Sequence, residues 1–593
     1  MRDPLLDDLD PQQRAAVVAS HSPLAIIAPA GSGKTRVLTR RVAYRIREHV
    51  AETKHVLALT FTRKAAAELA RRLHRLGVDG SLTSGTFHAV ALAQLRRQAT
   101  ERGWEQPRVL DRKGRLLGPL LGGRGRDTAA AVNDVAAEIE WAKARLITPD
   151  EFADAARAAS RRLPRAAAEL AELYARYETE KRKRRLLDFD DVLHRCADGI
   201  ARNDEFAAGQ RWRFRHFFVD EFQDASPLQV RLLRAWLGQG RDLSVVGDPA
   251  QAIYGFAGAD ASPLGEFAQA FGGETIALEH NYRSTPAVVG IAEVALGSAA
   301  HPARRPPHAV RANGARPTIV AYDNGEAEAA AVADRCWRSF TAGVPWQHMA
   351  VLFRTNAQSV VFEAAFTRRG VPFRVADGQR FAARPAVRAC IDRLREAERS
   401  APDRRFADHL ADLATDDGED VEHDRPDALA LVDLAREYLA SVAGFGSVAG
   451  FIGWLDTSTR GEDAHGTGVD LATFHRAKGL EWSVVFVTGL ERGLVPISWA
   501  TADDAIDEER RLFHVALSRA QDELHCSWAR ARSVGGRASA REPSPWLGAL
   551  EVAVHAMPMP PRDPARYVTE LRTTLAAATP PQPKRRAAQR HVR

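Results

Sequence analysis

Short runs, each closing on polar loop residues, punctuate the first half of the chain: apolar at 24–27, 56–59, 217–219 and 243–246, and small at 83–86, Thr-Ser-Gly-Thr. Runs of this length without alternation predict strands buried on both faces, and helical periodicity between them predicts a parallel α/β sheet. Its ligand loops would collect at the strand C-terminal ends. From about 108 to 187 the strand signal vanishes and Ala/Glu/Arg-rich helical patterns replace it, as at 129–145 and 166–183. A second α/β pattern comes in two pieces, at 318–321, 349–353 and 373–375, then at 469–473 and 484–487. Between the pieces lies a helical, charged stretch with a loop expected at 416–427. The segment after Leu547 is rich in Pro, Ala and Arg, and disorder is expected over 580–593.

Two of the predicted strand ends carry chemistry. Ala28-Pro29-Ala30-Gly31-Ser32-Gly33-Lys34-Thr35 follows the first strand and opens a helix, which is the setting a phosphate-binding loop requires. Small residues let backbone N–H groups turn toward phosphate, and the helix N-terminus adds its positive dipole end. Lys34 can reach the β/γ oxygens, and the Thr35 hydroxyl can ligate Mg²⁺. At the end of 217–219 stand Asp220 and Glu221. Adjacent carboxylates there divide the work: Asp220 serves Mg²⁺ and Glu221 orients or deprotonates the attacking water. The chemistry is hydrolysis of a nucleoside triphosphate.

Bulk properties set limits. At 593 residues, two to four domains are expected, and 45% hydrophobic with 27% charged residues describes an ordinary globular chain. A net charge of +7 is compatible with a polyanionic partner. Cys196, Cys336, Cys390 and Cys526 are far apart with no Cys-x-x-Cys pair. That argues against a zinc ribbon or disulfide framework and fits a reducing cytoplasm. No signal-peptide pattern or membrane-length apolar run is present, so no membrane association is expected.

The order of motifs is specific. Leu9-Asp10-Pro11-Gln12-Gln13 precedes the phosphate loop, then come Thr60-Phe61-Thr62-Arg63-Lys64, Gly85-Thr86-Phe87-His88-Ala89 and Asp188-Phe189-Asp190-Asp191. Val219-Asp220-Glu221-Phe222-Gln223-Asp224 follows, with Gly247-Asp248-Pro249-Ala250-Gln251 to Phe256 and Asn281-Tyr282-Arg283-Ser284. Phe353-Arg354-Thr355-Asn356, Phe474-His475-Arg476-Ala477-Lys478-Gly479-Leu480-Glu481 and Glu508-Glu509-Arg510-Arg511 to Ser518-Arg519-Ala520 complete the series. From about residue 5 to 547 the chain resembles the UvrD/Rep/PcrA family of superfamily 1A DNA helicases. The short 378–465 insertion and Gly479-Leu480-Glu481-Trp482 look most like the shorter UvrD-like helicases of high-GC bacteria, without the HRDC tail that some of them carry.

The resemblance implies an α/β fold of two RecA-like P-loop motor domains, each with a mostly helical insertion. The division expected is motor 1A at 1–107 and 188–278 with insertion 1B at 108–187. Motor 2A takes 279–377 and 466–547, with a short insertion 2B at 378–465 and a tail at 548–593. ATP with Mg²⁺ would sit between the motors, and single-stranded DNA would cross both. Ala30, Gly31, Ser32, Gly33, Lys34 and Thr35 would cradle the phosphates. Gln13 matches the family's adenine-reading glutamine, Tyr282 resembles the residue stacked on the base, and Arg36 flanks its other face. Glu481 resembles the ribose contact, Gln251 the γ-phosphate sensor, and Arg283 and Arg519 the arginine fingers. Phe61, Tyr254 and Phe256 are the expected base-stacking residues, with His88, Arg354, Asn356 and His475 as polar DNA contacts.

The resemblance makes the leading expectation a 3′→5′ single-strand translocase and helicase acting at single-strand–duplex junctions, in repair or replication restart. A translocase that strips proteins from DNA and unwinds weakly is the second, and a non-motor DNA-binding subunit is an alternative of another class. Two departures from the family matter, the first for base grip and coupling and the second for unwinding. Phe256-Ala257 stands where Trp-Arg is usual. The strand-separating hairpin expected near 528–537 places Gly535 where the family presents an aromatic tip, with Arg530, Arg532 and Arg537 left to hold phosphates.

Overall fold

The computed structural model describes residues 3 and 5–558 except 79, 111, 123–125, 376–384, 403, 416–430, 433–434, 436–437, 440–445, 459–466 and 535–536. The expected loop at 416–427, the C-terminal segment at 580–593 and the hairpin tip at Gly535 lie outside the described residues.

Two six-stranded sheets, all of whose pairings are parallel, organise the chain. In the first, the spatial order is Thr83–Thr86, Val56–Thr60, His216–Val219, Leu243–Gly247, Leu24–Ile27 and Glu274–Ala277. The second runs Thr318–Tyr322, Ala520–Ala529, Trp482–Val487, Met349–Phe353, Val469–Thr473 and Phe373–Val375. The apolar runs are continuous because both faces are covered. Leu57 and Leu59 enter one core with Ala25 and Ile27, while Val56 and Ala58 enter the opposite core with Leu24 and Ile26. The second sheet repeats this division: Val485 and Val487 point to one core, Val484 and Phe486 to the other.

Between strands Thr83–Thr86 and His216–Val219 the chain leaves the sheet for a helical unit with its own core. Helices Gly114–Leu121, Arg126–Ala144, Phe152–Ala158 and Ala167–Lys183 pack around Leu117, Val135, Ile139 and Tyr177. A buried charge cluster fastens this unit to the helix Phe189–Arg202. Lys143 and Lys181 lie 2.8 and 2.9 Å from Asp188, and each also pairs with Asp191 and Glu178. Those three carboxylates are close enough to hold a cation, but each is already paired with both Lys143 and Lys181. A second helical unit, Pro385–Ser400, Phe406–Thr415 and Val448–Ser458, interrupts the second sheet around Leu394, Phe406 and Phe451. Among the described residues no helix is long and apolar enough to cross a membrane, and all four cysteines are free and buried.

Candidate nucleotide and nucleic-acid sites

The loop after Leu24–Ile27 enters the helix Lys34–Arg47 through Gly33, at φ 83°, with no side chain capping the first turn. The helix therefore presents its leading N–H groups and positive dipole end uncovered. Gly31, at φ 75°, is equally demanding, since a Cβ there would sit 2.8 Å from the Arg283 Cβ. The loop is wired to the segment that enters the second half. Asn281 Nδ2 donates to the Ala30 carbonyl at 2.8 Å, and the Tyr282 N–H donates to the Gly31 carbonyl at 2.9 Å.

Thr35 Oγ1 donates to Asp220 Oδ2 at 3.0 Å, joining the start of this helix to the end of strand His216–Val219. Burial, followed by the charge of Glu221, pushes Asp220 up to about 7. Burial also penalises the Glu221 carboxylate, but Lys34, Lys478 and a hydrogen bond from Gln223 outweigh it and hold Glu221 below its ordinary value. Glu221 occupies the left-handed region at φ 53°, a strained conformation for a residue with a Cβ that sets its carboxylate apart from the strand direction. A hydroxyl and a carboxylate oxygen at contact form a hard, oxygen-only donor set of the kind Mg²⁺ takes.

Groups from the second sheet close this cleft. Arg519 is fully buried, and its Nε, Nη1 and Nη2 donate to the Val515 carbonyl, the Leu480 carbonyl and Ser518 Oγ. Burial, and then the neighbouring Arg283, push it down to about 9. Buried Arg519 beside half-buried Arg283 makes this an anion site in electrostatic terms. Arg283 Nε donates to Glu481 at 2.5 Å, so the finger candidate and the ribose candidate are paired with each other. Gln251 lies in a short turn beyond strand Leu243–Gly247, its Nε2 donating to Asp248 at 2.7 Å.

At the base end, Tyr282 is 41% exposed and its hydroxyl donates to Asp10 at 2.6 Å. Arg36 lies beside the same segment, donating to the Asp8 carbonyl. Gln13 is buried against the loop: its Nε2 donates to the Ser32 carbonyl at 2.9 Å, and its Oε1 accepts from the Asp10 N–H at 3.3 Å. Both ends of this amide are thus used, Oε1 in the capping box of helix Pro11–Val18 and Nε2 on the loop.

A second constellation lies where both sheets end. Tyr254, Phe256 and His475 form one cluster: the two rings of the turn are 6.2 Å apart, and His475 meets Phe256 edge-on at 5.5 Å. Phe256 is 54% exposed. Burial, with Arg354 and Lys478 nearby, lowers His475 to about 4, so it is a neutral donor or acceptor at pH 7. Phe61 leans on the core at 5.7 Å from Phe87, and half-buried His88 meets exposed Phe189 at 6.1 Å. Asn356 is exposed. Arg354 is committed elsewhere, its guanidinium bound twice by buried Glu509 at 3.0 and 2.7 Å.

Several residues that place these groups went unassigned in the sequence. Lys478 donates to both oxygens of Asp224 and to the Gln251 carbonyl, and lies 4.8 Å from the Tyr254 ring centre. Glu508 accepts from the Gly255 N–H at 3.0 Å, and Arg511 Nε donates to the Ala252 carbonyl at 2.9 Å. The turn carrying Tyr254 and Phe256 is thus gripped from the second half. The first insertion supports it from behind, where a Cβ on Gly258 would lie 2.7 Å from the Ala144 Cβ. Exposed Phe189 sits in the quoted Asp188-Phe189-Asp190-Asp191, and its exposure beside His88 is the signal that only the structure supplies.

The hairpin is present as strands Ala531–Val534 and Arg537–Ala540, paired antiparallel. Arg532, expected to hold phosphate, is turned inward. Its Nε lies 2.9 and 2.8 Å from the Glu491 oxygens and its Nη2 2.5 Å from Glu328, both of which are fully buried. Two buried carboxylates claim this cation, which is why it is withdrawn from the surface.

Residues 9–272 match the model of the UvrD/REP helicase N-terminal domain, and residues 276–420 and 451–531 match the UvrD-like helicase C-terminal domain. ATP-dependent DNA helicase UvrD2 of Mycobacterium tuberculosis (strain ATCC 25618 / H37Rv) is 38% identical over 595 residues, covering 94% of this chain and 84% of the relative. UvrD1 of the same strain is 30% identical over 661 residues, covering 90% and 84%. ATP-dependent DNA helicase PcrA of Staphylococcus epidermidis is 27% identical over 637 residues, covering 92% and 86%.

Proposed function

The chain belongs to the UvrD/REP family of ATP-dependent DNA helicases, and from that premise we propose that it moves 3′→5′ along single-stranded DNA and opens duplex at single-strand–duplex junctions, in repair or replication restart. The observation that carries this reading is convergence. A bare phosphate loop and two carboxylates from the first sheet face buried Arg519 and half-buried Arg283 from the second half. Beyond them, an aromatic and histidine cluster opens on the same ends of the strands.

In this reading, Lys34 and the loop amides of 30–35 bind the phosphates of ATP, and Thr35 and Asp220 hold Mg²⁺, which supplies charge neutralisation when bound. Glu221, kept ionised by Lys34 and Lys478, orients and accepts a proton from water. Arg283 and Arg519 bear on charge developing at the γ-phosphoryl oxygens. Gln251, linked through Lys478 to the second half, reports nucleotide state to the turn that holds Tyr254 and Phe256. The reading assigns one motor to 1–107 with 188–278 and the other to 279–377 with 466–547, with insertions at 108–187 and 378–465.

Weak unwinding is the second reading, favoured by the inward Arg532 and by Ala257, which adds no cation beside Phe256. A DNA-stimulated ATPase assay, paired with unwinding of 3′- and 5′-tailed duplexes, tests both. Stimulation with opening of the 3′-tailed substrate supports the first reading. Stimulated hydrolysis with opening of neither substrate supports the second, and hydrolysis indifferent to DNA and to salt refutes both.

A further inference from the structure

Trp499 is a large aromatic, 53% exposed, that the reading above leaves without a task. It lies on the loop after Val495-Pro496, in the second half of the chain. The guanidinium of Arg162, an exposed residue of the first insertion, stands 5.9 Å from its ring centre. Both residues are tied closely to the candidate DNA face. Arg161, next to Arg162, donates from Nη1 to the Phe256 carbonyl at 3.2 Å and is itself fixed by two 2.9 Å bonds to Glu138. On the other side, the Ile497 N–H donates to Glu509 Oε2 at 3.1 Å, the carboxylate that also holds Arg354. The backbone on each side is therefore pinned, while the ring and the guanidinium at its tip remain open to solvent.

We propose that Trp499 and Arg162 form a stacking site for one nucleobase of single-stranded DNA, built jointly by the second half and the first insertion, with Arg162 taking an adjoining phosphate. An indole face stacks on any base, so the site is indifferent to sequence, and a guanidinium beside it adds charge attraction to the backbone. Charge complementarity favours DNA over a protein partner, because Arg161, Arg162 and Arg165 cluster on this loop and, among the described residues, acidic partners stand against Arg161 and Arg165, namely Glu138 and Glu169, but not against Arg162. Since its two parts come from different halves, the site is complete only while those halves are held together. The inference rests on the reading that the Phe256–His475 face carries the strand.

The test uses the full chain and two probes of equal length, oligothymidylate and an abasic deoxyribose-phosphate oligomer, with binding followed by fluorescence anisotropy over a salt series. Trp499→Ala is expected to weaken oligothymidylate binding about tenfold and leave the abasic probe nearly unaffected. Trp499→Phe retains most of the affinity. Arg162→Ala weakens both probes and lowers the salt slope by about one. Unchanged oligothymidylate binding by Trp499→Ala overturns the site, and so does equal loss on both probes, which assigns Trp499 to packing. Failure of the wild-type chain to bind either probe refutes the DNA face itself, a result separate from loss of this one contact.

Discussion

Lys478 Nζ lies 2.6 and 2.7 Å from the two carboxylate oxygens of Asp224, so an ammonium from the second half is buried in a face built by the first. Burial pushes Asp224 up to about 6 although Lys478 pulls it down. Between the ordinary carboxylate range and pH 6, the folded chain keeps a proton that the unfolded chain has released. Stability from this group therefore falls as pH rises through that window. Lys478→Met removes the opposing charge and carries the window to higher pH. The expected cost at pH 8 is about 3–5 kcal/mol, the scale of a broken buried pair, and clearly less at pH 5. Thermal melts at the two pH values check this, and equal losses would remove the pair from the account.

Lys34→Ala is expected to abolish ATP hydrolysis and leave single-strand binding largely intact, because the candidate DNA face draws on other residues. Glu221→Gln should bind Mg-ATP yet turn over at least about a hundredfold more slowly. Nucleotide binding measured beside steady-state hydrolysis separates the two, and near wild-type turnover in Glu221→Gln would remove its role as base.

Arg283→Ala and Arg519→Ala should each lower turnover far more than ATP affinity. Arg519→Lys should fail to restore it, since Nε, Nη1 and Nη2 each serve a separate acceptor that one ammonium cannot satisfy together. The readout is kcat against nucleotide Kd for each variant. Parallel loss of both quantities would assign these arginines to binding alone.

Arg532→Ala leaves Glu328 and Glu491 buried without their cation, and a loss of about 3–5 kcal/mol is expected. Replacing both glutamates by Gln in the same chain should recover most of it. Denaturant unfolding of the single and triple variants decides the matter. A single variant as stable as wild type would mean that the hairpin is not anchored through this residue.

Of the strands that sequence located, Leu24–Ile27 and Met349–Phe353 are buried at every position and wholly apolar, which makes them the plainest signals. Two strands of the six-stranded sheets escaped. Glu274–Ala277 is a partly exposed edge, and Ala520–Ala529 interleaves Gln521, Asp522, Glu523 and His525 with its buried positions, so neither shows a continuous run. The same division holds at the site. The phosphate loop and the Asp220–Glu221 pair are local signals, each complete within a few residues. The Glu508 grip on Gly255 spans 253 positions of sequence, and nothing local to either residue announces it. Arg354 and Arg532 have the composition of phosphate contacts and the surroundings of buried ion pairs, a difference that only folding reveals.

The hydrogen bonds from Asn281 and Tyr282 to the Ala30 and Gly31 carbonyls fasten the segment that enters the second half directly to the candidate phosphate loop. A part fastened to its own power source needs no transmission. Any widening of the loop would pass straight to the segment that leads into the second half. Arg283, next to those bonds in sequence, would feel such a change first, and residues further along the second half only through it.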